Sequence, residues 1–355
     1  MRKYELPDMK LDSSENWPRQ RAEWVALAED CLYGHAPEGG EIRWEVTARE
    51  KMWQGAGVKE TVRIHYGPDF GQSFNAVVYA PAAEGKYPAI TWNQFSMGAY
   101  DCCPYEEAVA KRGYIIAWFD REEVLEDKVG GKNPVGEAYP AYDWGGVRAW
   151  AWAQSRLADY LLTRPDVDKE KLVCTGFSRG GKAALAAGIF DERFSVCAPI
   201  NSGAGGCGCF RYLGDRESMC QDVTKVESMG RVGSVFPHWW GAGFPRWYAQ
   251  EDPVQMGREA DYPFDLHILR ALIAPRHLFT SEGLDDAWSN PRGTALTWRA
   301  SQPAFDLLGG RSESYFRQGG HAFGEEDWQA LLDFCDEVYF GKETGRSWDT
   351  CPFED

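Results

Sequence analysis

The strongest constraint on the fold is an alternation of strand-like and helix-like segments along roughly residues 88–340. Short apolar segments such as AITWNQ, YIIAWFD and KLVCTGF are each followed by a segment rich in helix-forming residues. A strand–helix–strand connection makes successive strands parallel and places helices over the sheet. The pattern therefore predicts an α/β fold with three αβα layers around a mostly parallel central sheet.

The remaining segments modify this plan without dividing the chain. Residues 1–83 contain a helical segment ending near Gly34 and three alternating segments, EIRWEVTARE, ETVRIHYG and SFNAVVYA, which predict an antiparallel lead-in. Residues 203–262 form a loop-rich aromatic insertion. No repeat or linker separates these parts, so a single domain over residues 1–355 is predicted.

Composition excludes several classes of function. The formal net charge of −16 disfavours nucleic acid and anionic membrane surfaces as partners. No apolar run reaches the roughly 18 residues of a membrane span, and the first residues lack a signal-peptide core. A soluble, cytoplasmic protein is expected, unless a leader preceded Met1. The 10 cysteines lack zinc-site spacing and predict buried thiols rather than a disulfide framework. No metal or organic cofactor is implied, and the oligomeric state is not indicated.

The segment TGFSRGGK lies where a predicted strand becomes a predicted helix. Gly176, Ser178 and Gly180 satisfy the G-x-S-x-G pattern, in which a tight turn between strand and helix exposes a nucleophilic serine. The alternative is a serine that only caps the helix. The strand–turn–helix context favours the nucleophile.

A nucleophilic serine of this kind requires a histidine, and the order along the chain is serine, acid, histidine. Of the 6 histidines, His321 follows the last predicted strand and lies on a loop at the carboxyl edge of the sheet. His238, in FPHWW, is the alternative that could reach a cleft. The predicted acid follows the penultimate strand in EGLDDAW, where we choose Asp286, with Asp285 as the second candidate.

At this point the sequence resembles carbohydrate esterase family 15, the glucuronoyl esterases. The family signature G-x-S-R-x-G-K is matched by Gly176, Ser178, Arg179, Gly181 and Lys182. Further similar segments, over roughly residues 140–325, are YDWGGVRAWAWAQSRLADYL, GIFDERF, NSGAGG, FPHWW, PFDLHILRALIAPR, DDAWSNPRG and GGHAF. The resemblance implies an α/β-hydrolase fold and cleavage of esters between 4-O-methyl-glucuronic acid on xylan and lignin alcohols.

The resemblance also implies roles for individual residues. Ser178 and His321 match the nucleophile and the base, and Arg179 matches an arginine that assists the oxyanion hole. Three residues match substrate-binding positions of the family: Lys182, Trp288 and, by a looser alignment, Glu227.

The sequence departs from part of the family at Asn201, where some members carry the catalytic glutamate. Other members place the acid in the loop that corresponds to DDAW, in agreement with Asp286. Fungal members have a disulfide-bonded cysteine before the serine, whereas Phe177 here fits a bacterial type without that disulfide.

Two other functions are compatible with parts of this pattern. The same fold and serine would also suit a general carbohydrate or acetyl esterase. A non-catalytic sugar-binding relative would need a broken Ser–His–Asp set, and the sequence contains a complete one. The expected substrate is a small-molecule or oligosaccharide uronate ester.

Overall fold

The computed structural model describes residues 5–94, 105–213, 226–248, 258–259 and 261–353. Within these ranges, one mixed sheet runs in the order β1-β2-β3-β5-β4-β6-β7-β8-β9. Its strands are β1 (Arg43–Met52), β2 (Gly57–Tyr66), β3 (Gln72–Pro81), β4 (Tyr87–Gln94), β5 (Ile115–Asp120), β6 (Val167–Phe177), β7 (Phe194–Ile200), β8 (His277–Gly283) and β9 (Arg311–Arg317).

The first three strands form the antiparallel part of the sheet, and β4 to β9 are parallel to one another. This confirms the predicted mostly parallel sheet. The edge strand β1 has nine of its ten residues exposed and is rich in Arg, Glu and Lys. Charged side chains on an edge strand disfavour pairing with another chain, because such pairing would bury them.

Helices cover both faces of the sheet. They are α1 (Trp17–Ala28), α2 (Glu106–Lys111), α3 (Pro134–Ala138), α4 (Gly146–Leu161), α5 (Arg179–Phe190), α6 (Met229–Val235), α7 (Leu266–Ala271), α8 (Pro291–Leu308) and α9 (Glu325–Phe340). One core cluster includes side chains of α4, α5 and α7, and a second cluster includes side chains of α2 and α9. Leu172 and Val173 of β6 belong to different clusters, so neighbouring side chains of this strand point to opposite faces. The predicted three-layer α/β architecture is confirmed.

The aromatic insertion is described in part. Residues 214–225, 249–257 and 260 of the predicted 203–262 insertion lie outside the described ranges. The described part contains α6 and the turns at Pro237–Trp239 and Phe244–Trp247, which the sequence patterns did not predict. Among the described helices, none is sufficiently long and apolar to cross a membrane. The described cysteines are free thiols, and all of them except Cys351 are buried. The pair Cys102–Cys103 lies outside the described residues.

The turn between β6 and α5 brings the two elements unusually close. A β-carbon at Gly176 would lie 2.1 Å from the carbonyl oxygen of Gly180, and a β-carbon at Gly180 would lie 2.6 Å from Oδ1 of Asn93. Only glycine fits at such distances. Between them, Ser178 has a φ of +58°, a conformation that costs energy for a residue with a side chain. The turn is therefore a tight elbow that holds Ser178 at the start of α5.

We predict that Gly176→Ala destabilises the protein by at least about 2 kcal/mol, because the added methyl group forces the elbow apart. The measurement is the urea midpoint of unfolding. Gly71→Ala is the matched control, since a β-carbon there meets no atom within 4 Å and φ is not positive. It should change stability by no more than about 0.5 kcal/mol. Equal midpoints for the two variants would contradict the close approach.

Candidate active site

Ser178, His321 and Asp286 form a continuous hydrogen-bonded series at the carboxyl edge of the sheet. His321 Nε2 lies 2.9 Å from Ser178 Oγ, and His321 Nδ1 lies 2.5 Å from Asp286 Oδ2. Ser178 directly precedes α5 and its side chain makes no capping hydrogen bond to the helix. Asp286 follows β8 and His321 follows β9. The parallel strands thus bring together three residues that are far apart in the sequence. In this arrangement the imidazole can accept the serine proton while the carboxylate stabilises the resulting imidazolium.

The two neighbouring aspartates have different contacts. Asp286 is 3 % exposed and contacts His321, whereas Asp285 is exposed and accepts a hydrogen bond from the Gly319 N–H at 3.1 Å. Asp285 also donates its backbone N–H to the Gly319 carbonyl at 2.9 Å. Asp285 thus fastens the loop that carries His321, and Asp286 contacts the imidazole itself. Sequence patterns alone favoured Asp286 without separating these contacts.

Burial alone would raise the pKa of the Asp286 carboxyl. The hydrogen bond and charge of His321, with the hydrogen bonds from Ser289, outweigh burial and hold the pKa below its ordinary value. Asp286 is therefore an anion at neutral pH. The third acid of EGLDDAW, Glu282, lies within β8 and not in the loop that follows. It is fully buried, and neither carboxyl oxygen has a hydrogen-bond partner among the described residues. Burial and then the nearby Asp286 raise the pKa of Glu282 well above its ordinary value, which keeps it protonated.

Ser289 contacts both Asp286 and His321. The sequence pattern did not single out this residue. Its N–H donates to Asp286 Oδ1 at 3.2 Å, and its Oγ lies 3.1 Å from His321 Nδ1. The same hydroxyl donates to the Asn201 carbonyl at 3.1 Å. A serine shortly after an acid is too common in sequences to indicate such a role.

Asn201 forms hydrogen bonds that hold together the segments around Asp286 and His321. Its side chain donates to the Ala322 carbonyl at 2.8 Å and accepts from the Gly283 N–H at 2.9 Å. These bonds connect the ends of β7 and β8 to the loop that carries His321. Its φ of +43° lies in the left-handed region, which asparagine tolerates better than most residues.

Arg179 directly follows Ser178, and its guanidinium contacts a carboxylate and two aromatic rings. Its Nη1 donates to Asp127 Oδ2 at 2.8 Å, and the group lies over the rings of Trp239 and Phe236 at 4.8 and 5.2 Å. About a third of the side chain remains exposed. His238, the alternative histidine, also contacts Asp127 and not Ser178; its Nε2 lies 3.0 Å from Asp127 Oδ1.

Lys182 and Glu227 form a buried ion pair one turn after Ser178. Lys182 Nζ lies 2.7 Å from Glu227 Oε2 and donates to the Ser202 carbonyl at 2.6 Å. The Ala204 N–H also donates to Glu227. Burial lowers the pKa of Lys182 and raises that of Glu227, and the pairing opposes both changes. Each residue is at most 2 % exposed, and loss of one partner would leave a buried charge without its counterion.

Trp288 lies on the same side, in the loop between Asp286 and α8. Its ring is half-buried, and the Arg231 guanidinium lies 5.5 Å from its centre. The Trp288 carbonyl accepts the N–H of Glu227 at 3.0 Å, so the two predicted substrate-binding positions are neighbours.

A buried amide network supports the elbow from below. Asn93 Nδ2 donates to the Gly180 carbonyl and to Gln154 Oε1, both at 3.0 Å. Gln154 donates in turn to the Thr91 and Thr175 carbonyls at 2.9 and 3.1 Å. In the sequence these polar side chains look like ordinary strand and helix residues.

Among the described residues, no group of histidine, cysteine and acidic side chains is arranged as a metal site.

Comparisons with known proteins identify the family of the chain. A family model described as glucuronyl esterase, fungi, matches residues 68–309. A carbohydrate esterase named MZ0003, from an unknown prokaryotic organism, is 26 % identical, with 96 % of this chain and 90 % of that protein covered. The 4-O-methyl-glucuronoyl methylesterase of Hypocrea jecorina is 31 % identical, with 81 % of this chain and 60 % of that protein covered. A solved carbohydrate esterase family 15 glucuronoyl esterase from Caldicellulosiruptor kristjansonii superposes with a TM-score of 0.80 at 29 % identity, covering 99 % of this chain and 94 % of that one.

We predict that Asp286→Asn lowers kcat for ester hydrolysis by roughly 10³- to 10⁴-fold, because an amide favours the wrong imidazole tautomer. Asp285→Asn is the matched control. It weakens one exposed hydrogen bond worth about 1 kcal/mol, so kcat should fall no more than about tenfold. Steady-state kinetics on an activated ester measure both. A larger loss for Asp285→Asn than for Asp286→Asn would contradict the assignment.

Proposed function

The chain belongs to the glucuronoyl esterase family, and we propose that it is a serine hydrolase of glucuronoyl esters. The observation that carries the proposal is the unbroken hydrogen-bonded series from Ser178 through His321 to Asp286. The second support is the polar pair Lys182–Glu227, one turn from the nucleophile. The hydrogen-bonded series can cleave an ester, and the Lys182–Glu227 pair offers polar groups that can bind a sugar.

In the proposed reaction, Ser178 Oγ attacks the C6 carbonyl carbon of the uronate ester. His321 Nε2 takes the serine proton and then gives it to the departing alcohol. The resulting acyl-enzyme joins the uronoyl carbon to Ser178. Water then attacks this carbon with His321 as the base, and the uronic acid and the free serine are released.

The developing oxyanion requires fixed donors. The Arg179 N–H belongs to the residue after the nucleophile, which is the usual position of an oxyanion donor in this type of elbow. Its guanidinium is about a third exposed, and in the proposed mechanism it adds positive charge near the reacting carbonyl. Donors of this kind act strongly because they are already oriented when charge develops.

Recognition of the sugar is assigned to Lys182, Glu227 and Trp288. The ammonium and carboxylate of the buried pair can hydrogen-bond to sugar hydroxyls, and the indole offers a flat apolar surface. An acetyl group has no hydroxyls for the pair to contact. The buried pair therefore favours a uronate ester over the alternative, a general acetyl esterase.

We predict that kcat/KM for benzyl glucuronate exceeds that for benzyl acetate by roughly tenfold to hundredfold. Hydrogen bonds to charged groups contribute about 1.5–3 kcal/mol, and benzyl acetate has the same leaving alcohol without the sugar. Ser178→Ala should lower kcat on both esters by more than about 10³-fold. The two activities and the variant are compared at one pH.

Equal turnover of the two esters would refute the uronate preference and leave the nucleophile in place. Activity in Ser178→Ala close to that of the original protein would refute the nucleophile. Tight binding of glucuronate esters without turnover would instead favour a sugar-binding protein.

A further inference from the structure

Asp127 is contacted by Arg179 and by further side chains, which together come from three other parts of the chain. Arg179 Nη1 donates to Oδ2 at 2.8 Å, and Trp239 Nε1 donates to Oδ1 at 2.7 Å. His238 Nε2 lies 3.0 Å from Oδ1. Arg121, in the turn that follows β5, brings Nη2 to 3.6 Å from Oδ2. One buried carboxylate thus joins the loop after β5, the elbow and the FPHWW segment.

The carboxylate is an anion despite its burial. Its side chain is only 3 % exposed, and burial by itself would raise the pKa of Asp127. The hydrogen bonds from His238 and Trp239, together with the charge and hydrogen bond of Arg179, outweigh this effect and lower the pKa well below its ordinary value of 3.8. The charge is therefore present throughout the pH range in which a histidine-dependent hydrolase works.

The same contacts restrict Arg179. Its guanidinium is bonded to Asp127, and its Cζ lies 5.2 and 4.8 Å from the ring centres of Phe236 and Trp239, which stack 3.9 Å apart at 3°. A long side chain with this much exposure would otherwise sample several rotamers, and fixing it at the moment of reaction would cost free energy. The anchor fixes one end of the guanidinium at Asp127, while about a third of the Arg179 side chain stays exposed.

We propose that Asp127 is a positioning residue for oxyanion stabilisation: it holds the guanidinium of Arg179, the residue that follows Ser178, in one orientation before the substrate binds. The inference rests on the proposed esterase function. It also explains FPHWW, because Trp239 and His238 fix the carboxylate while the indole supports the arginine. Asp127 acts through Arg179 and does not itself contact the reacting atoms.

A double-mutant cycle separates this role from a purely structural one. Asp127→Asn preserves the shape and removes the charge, and Arg179→Ala removes the group on which Asp127 acts. Asp127→Asn alone should lower kcat by roughly tenfold to hundredfold, less than or equal to the loss of an oxyanion donor itself. KM should change less than about threefold, since the contribution arises in the transition state. In the Arg179→Ala background, Asp127→Asn should change kcat by less than about threefold.

Equal loss of kcat in both backgrounds would overturn the proposal, because Asp127 would then act independently of Arg179. An unchanged kcat in Asp127→Asn would overturn it as well. Thermal unfolding of each variant shows whether it is folded. If Asp127→Asn does not fold, His238→Leu replaces it: this change removes one contact of Asp127 and leaves Arg179 untouched. A fewfold loss of kcat that disappears in Arg179→Ala supports the proposal, and an equal or absent effect refutes it.

The use of two substrates distinguishes a failure of this proposal from a failure of the proposed function. The cycle is measured on both benzyl glucuronate and 4-nitrophenyl acetate, whose carbonyl develops an oxyanion without any sugar. Activity on the acetate alone refutes the uronate preference, yet the cycle can still be completed. Activity of Ser178→Ala equal to the original protein refutes the serine mechanism before Asp127 is considered.

Discussion

The close approach of β6 and α5 at Gly176 and Gly180 is the constraint on which the site depends. The chain turns so sharply that a β-carbon at either glycine would clash, and Ser178 adopts a positive φ. The serine is thus placed at the N-terminus of α5, and its carbonyl accepts the N–H groups of Gly181 and Lys182. Its hydroxyl then meets an imidazole delivered from the end of β9.

Three polar residues at the start of α5 are each linked to a different buried carboxylate. Ser178 is linked through His321 to Asp286, Arg179 is paired with Asp127, and Lys182 is paired with Glu227. The carboxylates come from three different parts of the chain: after β8, after β5 and before α6. Each is almost fully buried, so each needs its partner to remain charged. In the proposed mechanism, the groups for covalent attack, oxyanion stabilisation and sugar binding therefore lie within about one helical turn of each other.

Much of the fold could be predicted because its signals are local. Alternating strand and helix segments gave the parallel sheet, and the glycines around Ser178 gave the elbow. The positions of Ser178, Asp286 and His321 followed from the rule that parallel strands end at one edge. The contacts of Asp127, Ser289 and Asn93 were not predictable, since they join residues distant in sequence through common residue types. Likewise, FPHWW suggested a free histidine near the cleft, whereas only the packed structure shows His238 bonded to Asp127.

The proposed mechanism requires that a uronoyl group is carried on Ser178 during turnover. Rapid acid quenching during hydrolysis of benzyl glucuronate, followed by intact mass and peptide mapping, would detect this intermediate. We expect a mass increase corresponding to one glucuronoyl group on the peptide that contains TGFSRGGK, and its absence in Ser178→Ala. An adduct on another residue, or turnover of Ser178→Ala at the original rate, would show that Ser178 is not the nucleophile.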